Sequence, residues 1–161
     1  MESKATSLSM KVDLGCGEYC RGDIGISIGF TGMIVAPEIN ALIGEKNPNA
    51  KLIEHNLDDL PIPLPNSYAD EVIMCHILEH LHHPWDALKE TKRIMKNGAV
   101  LKIIVPNSKY APYDWNDPTH LYTWNEATLA HLVGKFLHVV KAEEITGHNK
   151  PWHIYLEAVK E

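Results

Sequence analysis

The chain has 161 residues, of which 45% are hydrophobic and 22% are charged, a composition typical of one globular domain. Its net charge of −6 argues against broad, sequence-independent binding to nucleic acid. Three cysteines without paired spacing argue against a disulfide-built secreted scaffold and favour a reducing, cytoplasmic location. No apolar stretch approaches the roughly 18 residues that a membrane span needs, so no contact with a membrane is expected.

The sequence predicts a short N-terminal segment followed by one domain. Residues 1–10 contain no apolar segment and are expected to be flexible. Residues 11–161 contain no repeat, low-complexity tract or linker and are predicted to form a single domain.

The first half of the chain alternates short apolar runs with loop signals. The predicted elements are a strand over Lys11–Gly15, a strand over Asp23–Ile28, a helix over Ala36–Lys46, a strand over Lys51–Leu57, a proline-rich loop over Leu60–Pro65 and a buried strand over Glu71–Ile77.

The second half predicts a crossover unit and then a hairpin. Trp85–Lys96 is predicted as a helix with Pro84 at its start and Gly98 past its end, followed by a buried strand over Ala99–Val105. Thr123–Glu126 has capping-box spacing and predicts a helix to about Val133. His138–Thr146 and Trp152–Lys160 then predict a β-hairpin. The fold class is therefore α/β, a Rossmann-like and mainly parallel sheet flanked by helices and ending in an antiparallel strand pair.

Basic residues recur with helical spacing in the predicted helix. Lys89, Lys92, Arg93 and Lys96 fall on one stripe. We interpret the stripe as a solvated helix face rather than a nucleic-acid contact.

The turn after the first strand, Asp13-Leu-Gly-Cys-Gly17, has the features of a cofactor-binding loop. Glycines let the backbone turn sharply and approach a ligand. Cys20 stands where a dinucleotide fingerprint requires a third glycine, and no Gly-Lys-Ser/Thr sequence follows, which argues against NAD, FAD and a P-loop nucleotide.

The order of the motifs resembles the class I S-adenosylmethionine-dependent methyltransferases, in particular the small, methyltransferase type 11-like members. The resemblance covers about residues 11 to 106. It is carried by Asp13–Gly17, Asn56–Pro61, Asn66–Val72, His76-Ile-Leu-Glu-His80 and Arg93–Gly98. It implies S-adenosylmethionine as cofactor, S-adenosylhomocysteine as product, and a methyl acceptor that the sequence does not identify.

The resemblance assigns roles to the glycine loop. Gly15, Cys16 and Gly17 would pass under the methionine part of the cofactor, and Asp13 would hold its ammonium group. The acidic residue that grips the ribose hydroxyls in the family is replaced by Ser27. Glu38 would serve instead if Met33–Ala36 were the second strand.

The resemblance also assigns residues that follow the third and fourth strands. Asn56 would hydrogen-bond the adenine and Leu57 would pack on its ring, although Asn56 is equally suited to capping its own loop. Cys75 and His76 would lie beside the sulfonium. The alternative to an enzyme is a non-catalytic S-adenosylmethionine-binding module or the partner of another subunit, which Ser27 at the ribose position motivates.

His76, Glu79 and His80 match the H-x-x-E-H pattern of some zinc hydrolases. Because a third ligand is not evident in the sequence, the leading interpretation involves no metal, and zinc hydrolysis is the alternative.

An aromatic segment, residues 109–124, precedes the last predicted helix. It contains Tyr110, Tyr113, Trp115, Tyr122 and Trp124. By resemblance it faces the acceptor, with His120 and His76 as candidate acids or bases. A lid on the sheet edge, or a homodimer surface formed by this segment, is an equally open interpretation.

Overall fold

The computed structural model describes residues 8–28, 37–110, 116–147 and 150–161. Its centre is a seven-stranded sheet with the order β3-β2-β1-β4-β5-β7-β6. Neighbours among the first five strands run parallel, and β7 lies antiparallel between β5 and β6. The strands are β1 Lys11–Leu14, β2 Ile24–Ser27, β3 Lys51–Glu54, β4 Ala69–Cys75, β5 Met95–Pro106, β6 His138–Gly147 and β7 Lys150–Val159. The predicted fold class is confirmed.

Helices cover both faces of the sheet. They are α1 Pro37–Ile43, α2 Pro84–Ile94 and α3 Glu126–Val133, with a short 3₁₀ helix at Leu78–His80. Buried residues of α2 and α3 share one apolar cluster with Val72 and Met74 of β4. Ile39 and Ile43 of α1 share another with Ile73 and Cys75. Alternate residues of β4 thus pack into the apolar clusters on opposite faces of the sheet, as expected for a strand that is buried on both sides.

The boundary between α2 and β5 differs from the prediction. The predicted helix reached Lys96, but α2 ends at Ile94 and β5 begins at Met95. Met95 is fully buried and is paired with Ala69 of β4. Gly98, predicted as the residue past the helix, lies inside β5 with φ +80°. Burial and strand pairing of Met95 override its helical spacing.

The predicted basic stripe is also broken up. Lys96 lies in β5 and donates to Asp70, while Arg93 turns toward the loop that contains Ile62 and Leu64. The spacing of the four basic residues would place them on one face only if the helix continued to Lys96. Because α2 ends at Ile94, they do not form one solvated face.

The predicted capping box of α3 is wrong by two residues. Asn125, not Thr123, caps the helix: its side chain accepts from the Thr128 amide, and Thr128 Oγ1 accepts from the Asn125 amide. Asn125 and Thr128 therefore form the capping box that the sequence predicted for Thr123 and Glu126.

The sheet has its topological switch between β1 and β4. From β1 the chain continues outward through β2 and β3, then returns to place β4 on the other side of β1. Ligands of open α/β sheets bind beyond the carboxyl ends of strands at such a point. Among the described residues, no helix is both long and apolar enough to span a membrane. The cytoplasmic location stays a prediction.

Candidate functional site

The glycine loop leaves β1 in a conformation that requires glycine. Gly15 has φ +77° and Gly17 has φ +54°. A Cβ built on Gly15 would lie 2.6 Å from Cβ of Ile77, the residue that follows the end of β4 by two positions. The loop therefore passes so close to the β4 exit that no side chain fits between them.

Asp13 lies beneath this loop and is fully buried. Its Oδ2 accepts the Arg21 amide at 2.8 Å, and the Arg21 guanidinium is 4.0 Å away. Its Oδ1 accepts no hydrogen bond. Burial raises the pKa of Asp13 to about 7, against the lowering effect of Arg21. One carboxylate oxygen is thus held by the fold, and the other has no donor from the described residues.

Four of the predicted cofactor residues line one pocket, which we call the loop pocket. Gly15, Ser27, Asn56 and Leu57 surround a cavity of about 70 Å³ at the carboxyl ends of β1, β2 and β3. Ile77 and His80, after β4, form its remaining side. The structure therefore brings together residues from four separate segments that the sequence analysis had selected one by one.

Two residues that line the loop pocket, Asn56 and Asp58, are fixed by hydrogen bonds. Asn56 Oδ1 accepts the Asp58 amide at 3.0 Å, so its oxygen caps the local turn while the residue also lines the pocket. Asp58 accepts the His82 amide, the His83 amide and His82 Nδ1. Burial alone would raise the pKa of Asp58, but these hydrogen bonds lower it overall.

The ribose position suggested for Ser27 agrees with the sheet. Ile24–Ser27 pairs with β1 and β3, and Ser27 is the last residue of β2. The alternative strand, 33–36, lies outside the described residues, but Ile24–Ser27 already fills the place of the second strand. Glu38 is a half-buried residue in the first turn of α1 and does not line the loop pocket.

A second, larger cavity adjoins the loop pocket, and we call it the histidine cavity. Its volume is about 520 Å³ and its wall includes His76, Glu79, His80, His120 and His153. His80 lines both cavities. The site thus consists of a narrow pocket at the glycine loop and a wider one rich in imidazoles, separated by one side chain.

Glu79 sits among these histidines with no exposed surface. Its Oε1 lies 3.4 Å from His76 Nδ1 and 3.8 Å from His80 Nε2. Within the described ranges of the chain, neither carboxylate oxygen accepts a hydrogen bond. His76 itself has φ +51° and packs edge-on against the His153 ring at 5.0 Å.

The structure adds His120 to this group. Its ring packs against His80 at 4.7 Å between centroids, and its Nε2 lies 3.6 Å from Asp117 Oδ2. Hydrogen bonds from Thr119 lower the pKa of Asp117, which keeps a carboxylate beside this imidazole. The sequence analysis named His120 and Glu79 separately, but no spacing rule joins residues so far apart in the chain.

Four of the predicted cofactor residues line neither cavity: Asp13, Cys16, Gly17 and Cys75. Cys75 is buried among Ile39, Ile104 and Tyr155 on the α1 face, and burial raises its pKa to about 12. Cys16 is also buried, with its Sγ donating to the Gly17 carbonyl at 3.3 Å. Neither thiol lines the loop pocket or the histidine cavity.

The aromatic segment is described in part, because residues 111–115, with Tyr113 and Trp115, lie outside the described residues. Trp124 is buried and stacks on Tyr122, which packs edge-on against Trp85 of α2. Tyr110 is exposed. The end of the segment thus packs on the domain, while a homodimer through residues 109–124 stays a prediction.

Comparison with known proteins gives a consistent picture. The family model described as a methyltransferase domain matches residues 12–103. No curated protein sequence matches the chain. Three similar solved structures, each at 20% identity or less, show the shared fold.

The first of these structures is a complex from Haloferax volcanii between the Trm112 methyltransferase activator and a methyltransferase, with TM-score 0.68, 18% identity, and coverage of 94% of this chain and 82% of that one. The second is the [4+2]-cyclase SpnF, with TM-score 0.69, 15% identity, and coverage of 94% and 74%. The third is an S-adenosylmethionine-dependent methyltransferase from Aquifex aeolicus, with TM-score 0.63, 20% identity, and coverage of 92% and 81%.

Proposed function

We propose that this chain, which belongs to the methyltransferase domain family and takes S-adenosylmethionine as its cofactor, transfers the methyl group where the loop pocket meets the histidine cavity. The observation that carries the proposal is the shared wall at His80. The loop pocket, at about 70 Å³, would hold only part of the donor, and an acceptor in the histidine cavity would meet the donor's methyl group at that wall.

The residues around the glycine loop fit the cofactor. Gly15 leaves no room for a side chain, which suits a loop that a ligand must approach closely. The Oδ1 atom of buried Asp13 accepts no hydrogen bond from any residue that the structure describes, which suits an ammonium group that would donate to it. Ser27, Asn56 and Leu57 would hold the ribose and adenine, and Cys16 and Gly17 would contribute backbone only. When bound, the sulfonium supplies an already activated methyl group.

The histidine cavity would hold the acceptor. Methyl transfer from a sulfonium needs the acceptor atom in line with the methyl group, with reacting atoms about 3–3.5 Å apart. A hydroxyl or ammonium acceptor must also lose a proton. His120, beside Asp117, and His76, beside Glu79, are the bases that we propose for this step, worth roughly 10²–10⁴-fold in rate.

The cofactor part of the proposal is tested by a pair of substitutions at the two ribose candidates. Ser27→Asp adds a carboxylate at the end of β2 and should tighten binding of S-adenosylhomocysteine about tenfold, because a carboxylate accepts from both ribose hydroxyls. Glu38→Ala removes a half-buried side chain of α1 that does not line the loop pocket and should leave the dissociation constant unchanged. Isothermal titration calorimetry measures both.

The outcomes separate the assignments. Unchanged affinity in Ser27→Asp, with a folded protein by circular dichroism, would reject Ser27 as the ribose residue. Weaker binding in Glu38→Ala would point to α1 instead. Methyl-labelled cofactor, incubated with fractions of a cell extract, tests turnover: binding without any labelled product would favour a non-catalytic cofactor-binding module.

A further inference from the structure

We propose that Glu79, His80 and His120 form a binding site for a divalent transition-metal ion of the zinc type on the wall of the histidine cavity. One carboxylate oxygen and one ring nitrogen from each histidine lie within 4.8 Å of one another. The inference concerns metal binding and does not depend on the proposed methyl transfer.

The donor set is chemically suited to such an ion. Two imidazoles and one carboxylate are the ligands of known catalytic zinc sites, which keep a further position open. Ligand bonds of 2.0–2.1 Å place tetrahedral donor atoms roughly 3.3–3.5 Å apart. The separations of up to 4.8 Å therefore need to close by up to about 1.5 Å, a side-chain adjustment rather than a backbone rearrangement.

Buried Glu79 gives independent support. Its carboxylate lies at the histidine cavity, has no exposed surface, and accepts no hydrogen bond at either oxygen from the part of the chain that the structure describes. A buried carboxylate in that state is costly unless a cation compensates it. A metal ion held jointly with His80 and His120 would provide that cation.

His80 is oriented as a metal ligand would be. Its Nδ1 lies 3.1 Å from the Thr119 carbonyl oxygen and 3.1 Å from Thr119 Oγ1, and Thr119 Oγ1 donates to Asp117 at 2.6 Å. A proton on Nδ1 then donates to Thr119, and Nε2 carries the lone pair on the side of Glu79. Histidine ligands usually donate their second ring N–H in this way.

The backbone fixes His120 next to Glu79. The Glu79 carbonyl accepts the Leu121 amide at 2.8 Å and the Tyr122 amide at 3.2 Å. The segment that carries His120 is therefore bonded to the same turn that supplies the other two ligands. A site built from one turn and one tethered segment needs little ordering to bind an ion.

An ion in this position would face the cavity that we assign to the acceptor. With His120 bound to the ion, His76 would be the base for an acceptor that must lose a proton, and His120 would serve as a base only in the metal-free protein. Its open position would bind an oxygen, nitrogen or sulfur atom of a substrate. The competing explanation for Glu79 is charge compensation by His76 and His80 in their protonated forms, without any ion.

The experiment is a titration of the untagged, chelator-treated protein with zinc chloride in the absence of methyl donor, followed by calorimetry and elemental analysis. We expect one Zn²⁺ per chain. Glu79→Gln and His120→Ala should each weaken binding by at least about tenfold. The matched controls Glu143→Gln and His138→Ala change exposed residues of β6 and should bind like the wild type.

Cobalt absorption provides a readout at the site itself. A visible Co²⁺ band should appear in the wild type and both controls, and should be lost in Glu79→Gln and His120→Ala. Absence of saturable binding, or binding that neither ligand variant weakens, would overturn the site and leave protonated histidines as the partners of Glu79. His120→Ala serves as the decisive variant if Glu79→Gln fails to fold. Because no donor is present, failure here leaves the methyl-transfer proposal untouched.

Discussion

At the scale of single residues, Asp13 combines burial with a raised pKa. Its pKa of about 7 means that near neutral pH the carboxyl group is divided between its neutral and ionised forms. Only the ionised form makes a charge-assisted hydrogen bond to an ammonium group. The protonation state of Asp13 should therefore govern cofactor affinity within the physiological range.

We predict that the affinity for S-adenosylhomocysteine rises from pH 5.5 to pH 8. Below pH 7 binding must expel the proton from Asp13, which costs up to about tenfold per pH unit. Calorimetry across this range measures the effect. Asp13→Asn should bind more weakly and show a flat profile, because its side chain does not titrate. A flat profile in the wild type would exclude Asp13 as the ammonium ligand.

Residues of the site differ in how far the sequence reveals them. The glycine loop is a local feature, since its positive φ angles follow from contiguous residues, and it was predicted. The meeting of Glu79 with His120 depends on a chain return that is fixed by the Glu79 carbonyl, which no local pattern encodes. The face on which Cys75 lies could not be predicted, because residues that end a buried strand alternate between the two faces of the sheet, and its role beside the cofactor stays a prediction.

At the scale of elements, Arg93 ties α2 to the proline-rich loop before β4. Its guanidinium donates to the carbonyls of Ile62 and Leu64, to Asn66, and to both oxygens of Glu90. Glu90 in turn accepts the Ile62 amide. The planar guanidinium satisfies several acceptors at once, which a lysine ammonium cannot do.

Arg93→Lys should therefore lower the free energy of unfolding by about 1–3 kcal/mol. Urea denaturation at pH 7 measures this change. Lys92→Ala, an exposed change on the same helix, should stay within about 0.5 kcal/mol of the wild type. Arg93 also lowers the pKa of Glu90, so the clamp stabilises the fold above the usual carboxyl range and weakens as pH falls. Equal effects of the two substitutions would refute the clamp.

Helices and strands could be predicted where one local signal in the sequence dominates. The residues at which they begin and end could not. The apolar runs of β4 and β5 and the proline before α2 identify those elements without tertiary information. The end of α2 depends on whether Met95 continues the helix or pairs with Ala69 of β4, which tertiary packing decides. The N-cap of α3 depends on whether Thr123 and Glu126 or Asn125 and Thr128 form the capping box, and the structure has the second pair.

At the scale of the whole molecule, the loop pocket is lined by segments that lie far apart in the sequence and that unfolding would separate. Gly15 follows β1, Ser27 ends β2, Leu57 follows β3 and Ile77 follows β4. A ligand that needs all four segments binds the folded chain only. Its binding free energy is then added to the stability of the fold.

We predict that S-adenosylhomocysteine at 100 times its dissociation constant raises the melting temperature by roughly 5–10 °C. Linkage gives about 2.7 kcal/mol at that concentration, and a chain of this size gains about 2–4 °C per kcal/mol. Differential scanning fluorimetry compares each protein with and without ligand. Gly17→Val should melt lower on its own, because φ is +54° there, and should gain nothing from ligand because its side chain fills the approach to the loop. A ligand-induced rise in Gly17→Val equal to that of the wild type would place the cofactor away from the glycine loop, whatever the effect on basal stability.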